Sequence, residues 1–343
     1  FTNVMPSTLT LHLVLLNVLN VVQTLRDHEV MPLISNDFND ETVPGSKMAS
    51  HLELRETEHP DVHVVDDVDG KHLEQSFREL EVTEELLARA TEAKELQRDI
   101  CSNGTWHLSG DFKVTEKMLV IEEPCNITAD RVTLFLEHSL LFQYAVHFHR
   151  DLAVVALRAL DFACVVMGHD AFVEPGAVLR LKGCQNDGDG YGRGGAMRVL
   201  GDLEVRGELH IRDSWAAEKG GAICVWKDFT QSSGTLTISN ASAETGGAIY
   251  VREGSFTQSG GTLTITDASS ESDGGAIYVY EGSFTQSGGT LTITHASSES
   301  DGGAMWIGGD LTMKKNTLSI RHATAKIGGG IRVGGHVSFE DAA

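Results

Sequence analysis

From Met197 onward, apolar and polar side chains alternate over short runs, and no run follows a 3.6-residue period. The stretch GGAIYVREGSFTQSGGTLTITDASSESD, beginning at Gly246, shows the unit. Ile249 and Val251 alternate with Ala248 and Tyr250. Phe256 and Gln258 flank Thr257, and Leu263 and Ile265 sit between Thr262, Thr264 and Thr266. A period of two puts each set on one face of a strand. Each unit therefore predicts three short strands with one inward face apiece.

The unit recurs. Gly-Gly pairs begin at Gly194, Gly220, Gly246, Gly274, Gly302 and Gly328, in steps of 26, 26, 28, 28 and 26 residues. One inward column reads Met197/Val199, Ile223/Val225, Ile249/Val251, Ile277/Val279, Met305/Ile307 and Ile331/Val333. A second reads Leu209/Ile211, Leu236/Ile238, Leu263/Ile265, Leu291/Ile293 and Leu318/Ile320. A third is Leu203, Phe229, Phe256, Phe284, Leu311 and Val337. Units this small cannot bury an apolar face alone and must stack. Three strands per coil in parallel register predict an all-β solenoid, a single-stranded parallel β-helix. The glycine pairs fall where the chain must turn into the first strand, and glycine reaches φ > 0 without steric cost. Gln231, Gln258 and Gln286 share an inward face with Val205 and Met313 and are expected to form an amide ladder, each side chain bonding the next.

The phrases GGAICV at Gly220, GGAIYV at Gly246 and Gly274, and GGAMWI at Gly302, with LTISNASAETGGAIYV from Leu236, resemble the GGAI repeats of the chlamydial polymorphic membrane proteins. The resemblance covers about residues 194–335 and implies a right-handed β-helical passenger, a pectin-lyase-like solenoid, displayed at a cell surface. FTQS stands here where that family carries FxxN, and the family's translocator barrel is not within these 343 residues, so either the chain is truncated or a different secretion route is expected.

The rest of the chain divides by composition. In segment 1–26, Leu9 to Val22 has the length of a signal-peptide core and is too short for a comfortable membrane span; a buried apolar helix is the other reading. Segment 27–72 is an acidic linker, holding among others Asp37, Glu53, Asp66 and Asp67, and is expected to be disordered. Within 73–100, Leu73, Phe77, Leu80, Leu87 and Ala90 fall at helical steps and predict a helix that caps the solenoid. Residues 101–193 alternate like strands without the glycine pairs, as in Trp106/Leu108 and Leu119/Ile121, and read as irregular coils preceding the regular ones of 194–343.

Charge narrows the function. The 343 residues carry a formal net charge of −22, against nucleic acid or an anionic membrane as partner. None of the five cysteines is in CxxC spacing, so no zinc site is expected. In a secreted chain Cys101 would pair with Cys125 and Cys164 with Cys184, leaving Cys224 odd; in a cytosolic chain all five stay reduced. Asn-X-Ser/Thr sequons at Asn103, Asn126 and Asn240 fit glycosylation of a secreted protein. The turn acids Glu271, Asp273, Glu299 and Asp301 stack and read as solvated, with calcium as the alternative.

Two outward columns look functional. Tyr250, Tyr278 and Trp306 in one, and Trp226 and Tyr280 in the next, predict an exposed aromatic strip for a glycan or surface protein; self-stacking that stabilises a sheet face is the competing reading. Catalysis finds no residue set: NTD, GHG and RIK strings and HExxH are absent, and His147 and His149 are the closest histidine pair. The chain is thus expected to be a secreted or cell-surface adhesin-like or structural module with no cofactor. A polysaccharide lyase or glycosidase with its cleft in coils 101–193 is the alternative.

Overall fold

The computed structural model describes Ala90 and residues 93–95, 101, 103–115, 118–188, 192–314 and 317–340, all within the compact unit Gln75–Ala343. The signal-peptide and linker assignments lie outside the described residues, as does most of the expected helix 73–100. Of that segment, Ala90 is helical and buried, but Lys94–Glu95 is a strand paired in parallel with Phe112–Val114. A strand there gives the edge of the first coil hydrogen-bonding partners, which a helix end would not.

The fold is a parallel β-solenoid. In the coil that starts at Gly246 the strands are Ile249–Val251, Phe256–Gln258 and Thr262–Ser270. First strands of successive coils stack into a nine-stranded parallel sheet; second and third strands join a nineteen-stranded one. Register follows the sequence columns: Ile223, Ile249, Ile277, Met305 and Ile331 are successive partners, as are Leu209, Leu236, Leu263, Leu291 and Leu318. The Phe229, Phe256 and Phe284 rings stack at 4.4 and 4.8 Å. These columns share one continuous apolar core with Trp106, Leu119, Leu134 and Leu179 of the earlier coils.

Corners are made by left-handed residues. Gly246 has φ +63° at the turn into the first strand, and its counterparts from Gly194 to Gly328 match it. The third strand bends where Asp213, Asn240, Asp267, His295 and His322 adopt φ of 52–54°, a conformation that Asn, Asp and His tolerate better than most residues. A further ladder fixes the corner before the second strand. Asp170, Asp202 and Asp228 each accept, through Oδ1, the backbone N–H of the equivalent residue one coil on, at 2.9, 3.1 and 2.8 Å. Ser255, Ser283 and Asp310 continue it at 3.2, 3.1 and 2.7 Å. This ladder satisfies amides that strand pairing leaves at the turn.

The glutamines lie fully inside, but their bonding differs from a pure amide ladder. Gln258 Nε2 donates to Gln231 Oε1 at 3.2 Å, while Gln231, Gln258 and Gln286 each donate to a corner carbonyl of the next coil: Thr262, Thr290 and Thr317. Gln258→Met, which keeps the volume and removes the donor, is expected to lower stability by about 1–2 kcal/mol in urea unfolding; an unchanged midpoint would show that the amide contributes nothing net.

Candidate functional site

The strand register sets which side chains share each outer face. Outward from the nine-stranded sheet, one column runs Leu141, Val166, Arg198, Cys224, Tyr250, Tyr278, Trp306, Arg332. Here the structure corrects the expected exposed strip. Trp226, Tyr250 and Tyr278 are 4%, 3% and 7% exposed, Trp306 is half-buried, and only Tyr280, at 46%, stands open. Tyr250 stacks on Tyr278 at 5.3 Å and Tyr278 on Trp306 at 4.4 Å, both within 4° of parallel. Rings stacked coil on coil cover one another's faces, so those faces are not free for a sugar ring. Cations cover further faces: Arg252 Cζ lies over the Trp226 ring, 4.2 Å from its centre, and Lys219 Nζ over that of Tyr250 at 5.1 Å. Burial pushes the Tyr250 and Tyr278 phenols and the Cys224 thiol up, and Lys219 down. Cys224 is therefore a protonated, inert thiol.

Titratable groups gather on another face, from the irregular coils into the first regular one. On the second-strand face one outward column reads Asn126, His147, Phe172, Glu204, Thr230, Thr257, Thr285, Thr312. From Thr230 to Thr312 it is all threonine, and it ends on Ser338; before Thr230 it carries imidazole, ring and carboxylate. Beside it lie His107, Thr128 and His149, again register partners. Glu174 Oε1 sits 2.7 Å from His147 Nδ1, Arg206 reaches Glu174 at 3.0 Å and Glu204 at 3.5 Å, and Ser232 Oγ donates to Glu204 at 3.3 Å. The His147 and Phe172 rings stack at 4.4 Å. His107 Nδ1 is 2.7 Å from Thr128 Oγ1, and both border a shallow pocket of about 190 Å³ with Asp130 and Arg150.

Around the next corner, Asp151 is the register partner of Asp130 and is ion-paired to Arg180. His210 lies between Thr237 Oγ1 at 2.6 Å and Glu208 at 3.3 Å. Burial holds His210 below the ordinary imidazole range, against the pull of Glu208. The unfolded chain therefore takes up this proton first: stability from the neutral ring is present above about pH 6.5 and is lost as pH falls below it. The midpoint of thermal unfolding should drop between pH 7.5 and 5, and His210→Asn should reduce that drop; an equal drop in both would reject the assignment.

The cysteines lie at both ends of the irregular coils. Cys101 is joined to Cys125 and Cys164 to Cys184, each pair with Cα atoms 5.6 Å apart, and Cys224 is free and buried. Asn103, Asn126 and Asn240 are exposed; the Asn240 amide donates to Asp213 at 2.8 Å. In the acidic turns, Asp273 accepts the Asp301 amide at 3.0 Å and Asp301 is ion-paired to Arg332. Among the described residues no three His, Cys, Asp or Glu side chains converge, and no helix is long and apolar enough to cross a membrane.

Sequence reasoning missed the His147–Glu174–Arg206 group because its members stand 27 and 32 residues apart. The coil period reaches back from Thr230 only to Glu204, 26 residues earlier; the next register steps, 32 residues to Phe172 and 25 to His147, depart from it. No family model, curated protein or solved structure matches the chain.

Proposed function

We propose that the chain is a secreted or cell-surface binding module that works without catalysis, through many weak contacts along a β-helical face, in the manner of the chlamydial passenger domains its repeats resemble. The observation that carries this reading is the constancy of the outer second- and third-strand faces. Thr230, Thr257, Thr285 and Thr312 form one rank and Thr235, Thr262, Thr290 and Thr317 another, each at the ladder spacing. Such ranks offer a repeated hydroxyl pattern with no cleft to exclude water, which suits a long glycan or an extended protein partner better than a reacting small molecule. Two disulfides and three exposed sequons fit an oxidising, glycosylating compartment.

A glycan and matrix-protein array probed with the purified protein tests the reading. Binding that falls at least tenfold in Thr257→Lys/Thr285→Lys supports it; no ligand, or binding indifferent to that change, rejects it. Intact mass before and after thiol alkylation, without reductant, should show one reactive cysteine after unfolding, and five would place the protein in a reducing compartment.

A second reading is favoured by the acid and cation groups of coils 105–206. Asp130 beside Asp151, with Arg180 on Asp151 and Arg206 on Glu174, is the kind of site that a polysaccharide lyase or glycosidase requires. New reducing ends or unsaturated products from a polysaccharide panel, lost in Asp151→Asn, would establish that reading in place of the first.

A further inference from the structure

We propose that His147 and His149 form a binding site for one divalent transition-metal ion of the kind that imidazole prefers, zinc or copper(II). The inference does not depend on the binding reading above. The two histidines alternate with inward Phe148 on strand Val146–Ala156, so both rings project from one face of one rigid strand. Their ring centres are 6.3 Å apart and their planes within 13° of parallel. An ion held at about 2.0–2.1 Å from one nitrogen of each ring keeps ring centres roughly 5–6.5 Å apart, so a small rotation about the side-chain bonds brings both onto one ion.

The hydrogen bonding of His147 suits a ligand. His147 meets Glu174 through Nδ1 at 2.7 Å, and Glu174 is in turn held by Arg206. A carboxylate on one ring nitrogen fixes the tautomer that leaves the other nitrogen with a free lone pair, the arrangement metal-bound histidines usually show. His147 Nε2 has no hydrogen-bond partner among the described residues, and neither ring nitrogen of His149 has one. Both side chains are half-buried, so water can reach the remaining coordination positions. The His-X-His spacing lacks the helical pattern of HExxH and acquires its orienting carboxylate only from the next coil, which is why the sequence does not announce it.

Calorimetric titration of the untagged protein with zinc chloride, paired with electron paramagnetic resonance of a one-equivalent copper(II) sample, tests this. The expected result is one zinc site and a copper spectrum with two-nitrogen coordination. Affinity should fall at least tenfold in His149→Ala and in His147→Ala, and about tenfold in Glu174→Gln, which keeps both ligands and loosens only the tautomer. Calcium should not compete. Circular dichroism and thermal midpoints confirm that each variant is folded; because His149 makes no hydrogen bond among the described residues, His149→Ala should keep the wild-type midpoint. Wild-type zinc affinity in folded His149→Ala, or no binding by the parent protein, would overturn the proposal.

Discussion

Gly247→Ala is expected to destabilise the solenoid by on the order of 3 kcal/mol, several times the cost of an ordinary glycine replacement. The residue has no left-handed backbone, so the cost does not come from φ. It comes from contact: an added Cβ would lie closer than 3.0 Å to the carbonyl oxygens of Gly275 in the next coil and of Ser269 in the third strand of its own coil. Both are backbone atoms, and both coils are tied there by Gly247 N–H donating to Gly274 O at 3.1 Å and Ala248 N–H to Ala276 O at 3.0 Å. The coils would have to separate, and ladder bonds would lengthen along the whole corner. Gly330→Ala is the control, since nothing lies within 4 Å of its Cβ position; it should shift stability by no more than about 0.5 kcal/mol. Urea midpoints of the two variants decide the matter. Equal midpoints would mean that the second glycine of each pair does not set the coil spacing.

The second large effect is expected at Phe256. Its ring is fully buried and stacked between Phe229 at 4.4 Å and Phe284 at 4.8 Å. Phe256→Ala removes the middle of that stack and should cost about 3–5 kcal/mol. Phe256→Leu should cost less than about 1.5 kcal/mol, because the same column already accepts leucine at Leu203 and Leu311. In a solenoid each coil leans only on its neighbours, so the damage should be local. Limited proteolysis of Phe256→Ala should cut first in the coil of residues 246–273. A loss below about 1 kcal/mol would mean that the column is not a dry core.

The inward columns were legible because a period of two and a repeat of 26–28 residues together leave one register. Ile249 over Ile277 and Leu263 over Leu291 follow from spacing alone. What lay outside was less legible. Alternation states that Tyr250 and Tyr278 point away from the core, but not that neighbouring rings and Lys219 cover them. The corner column Asp213, Asn240, Asp267, His295, His322 looks like variable loop chemistry in one dimension. It is unified only by the φ > 0 that these side chains tolerate. The Asp170, Asp202 and Asp228 ladder was hidden similarly, since its bonds run to backbone amides and leave no partner residue type to recognise. His147 and Glu174 needed both the coil period and the irregular coils' alignment before they could be paired.

Successive windings lie in register around a single interior, and a spin-label ruler tests this most directly. Glu204 and Ser338 are joined through Thr230, Thr257, Thr285 and Thr312 by five consecutive register steps. At about 4.8 Å per step, nitroxides on these two outward positions should be about 24 Å apart with a narrow distribution, although 134 residues of chain separate them. A mean beyond about 40 Å, or a broad distribution, would contradict the stacking on which the fold and each proposed site rest.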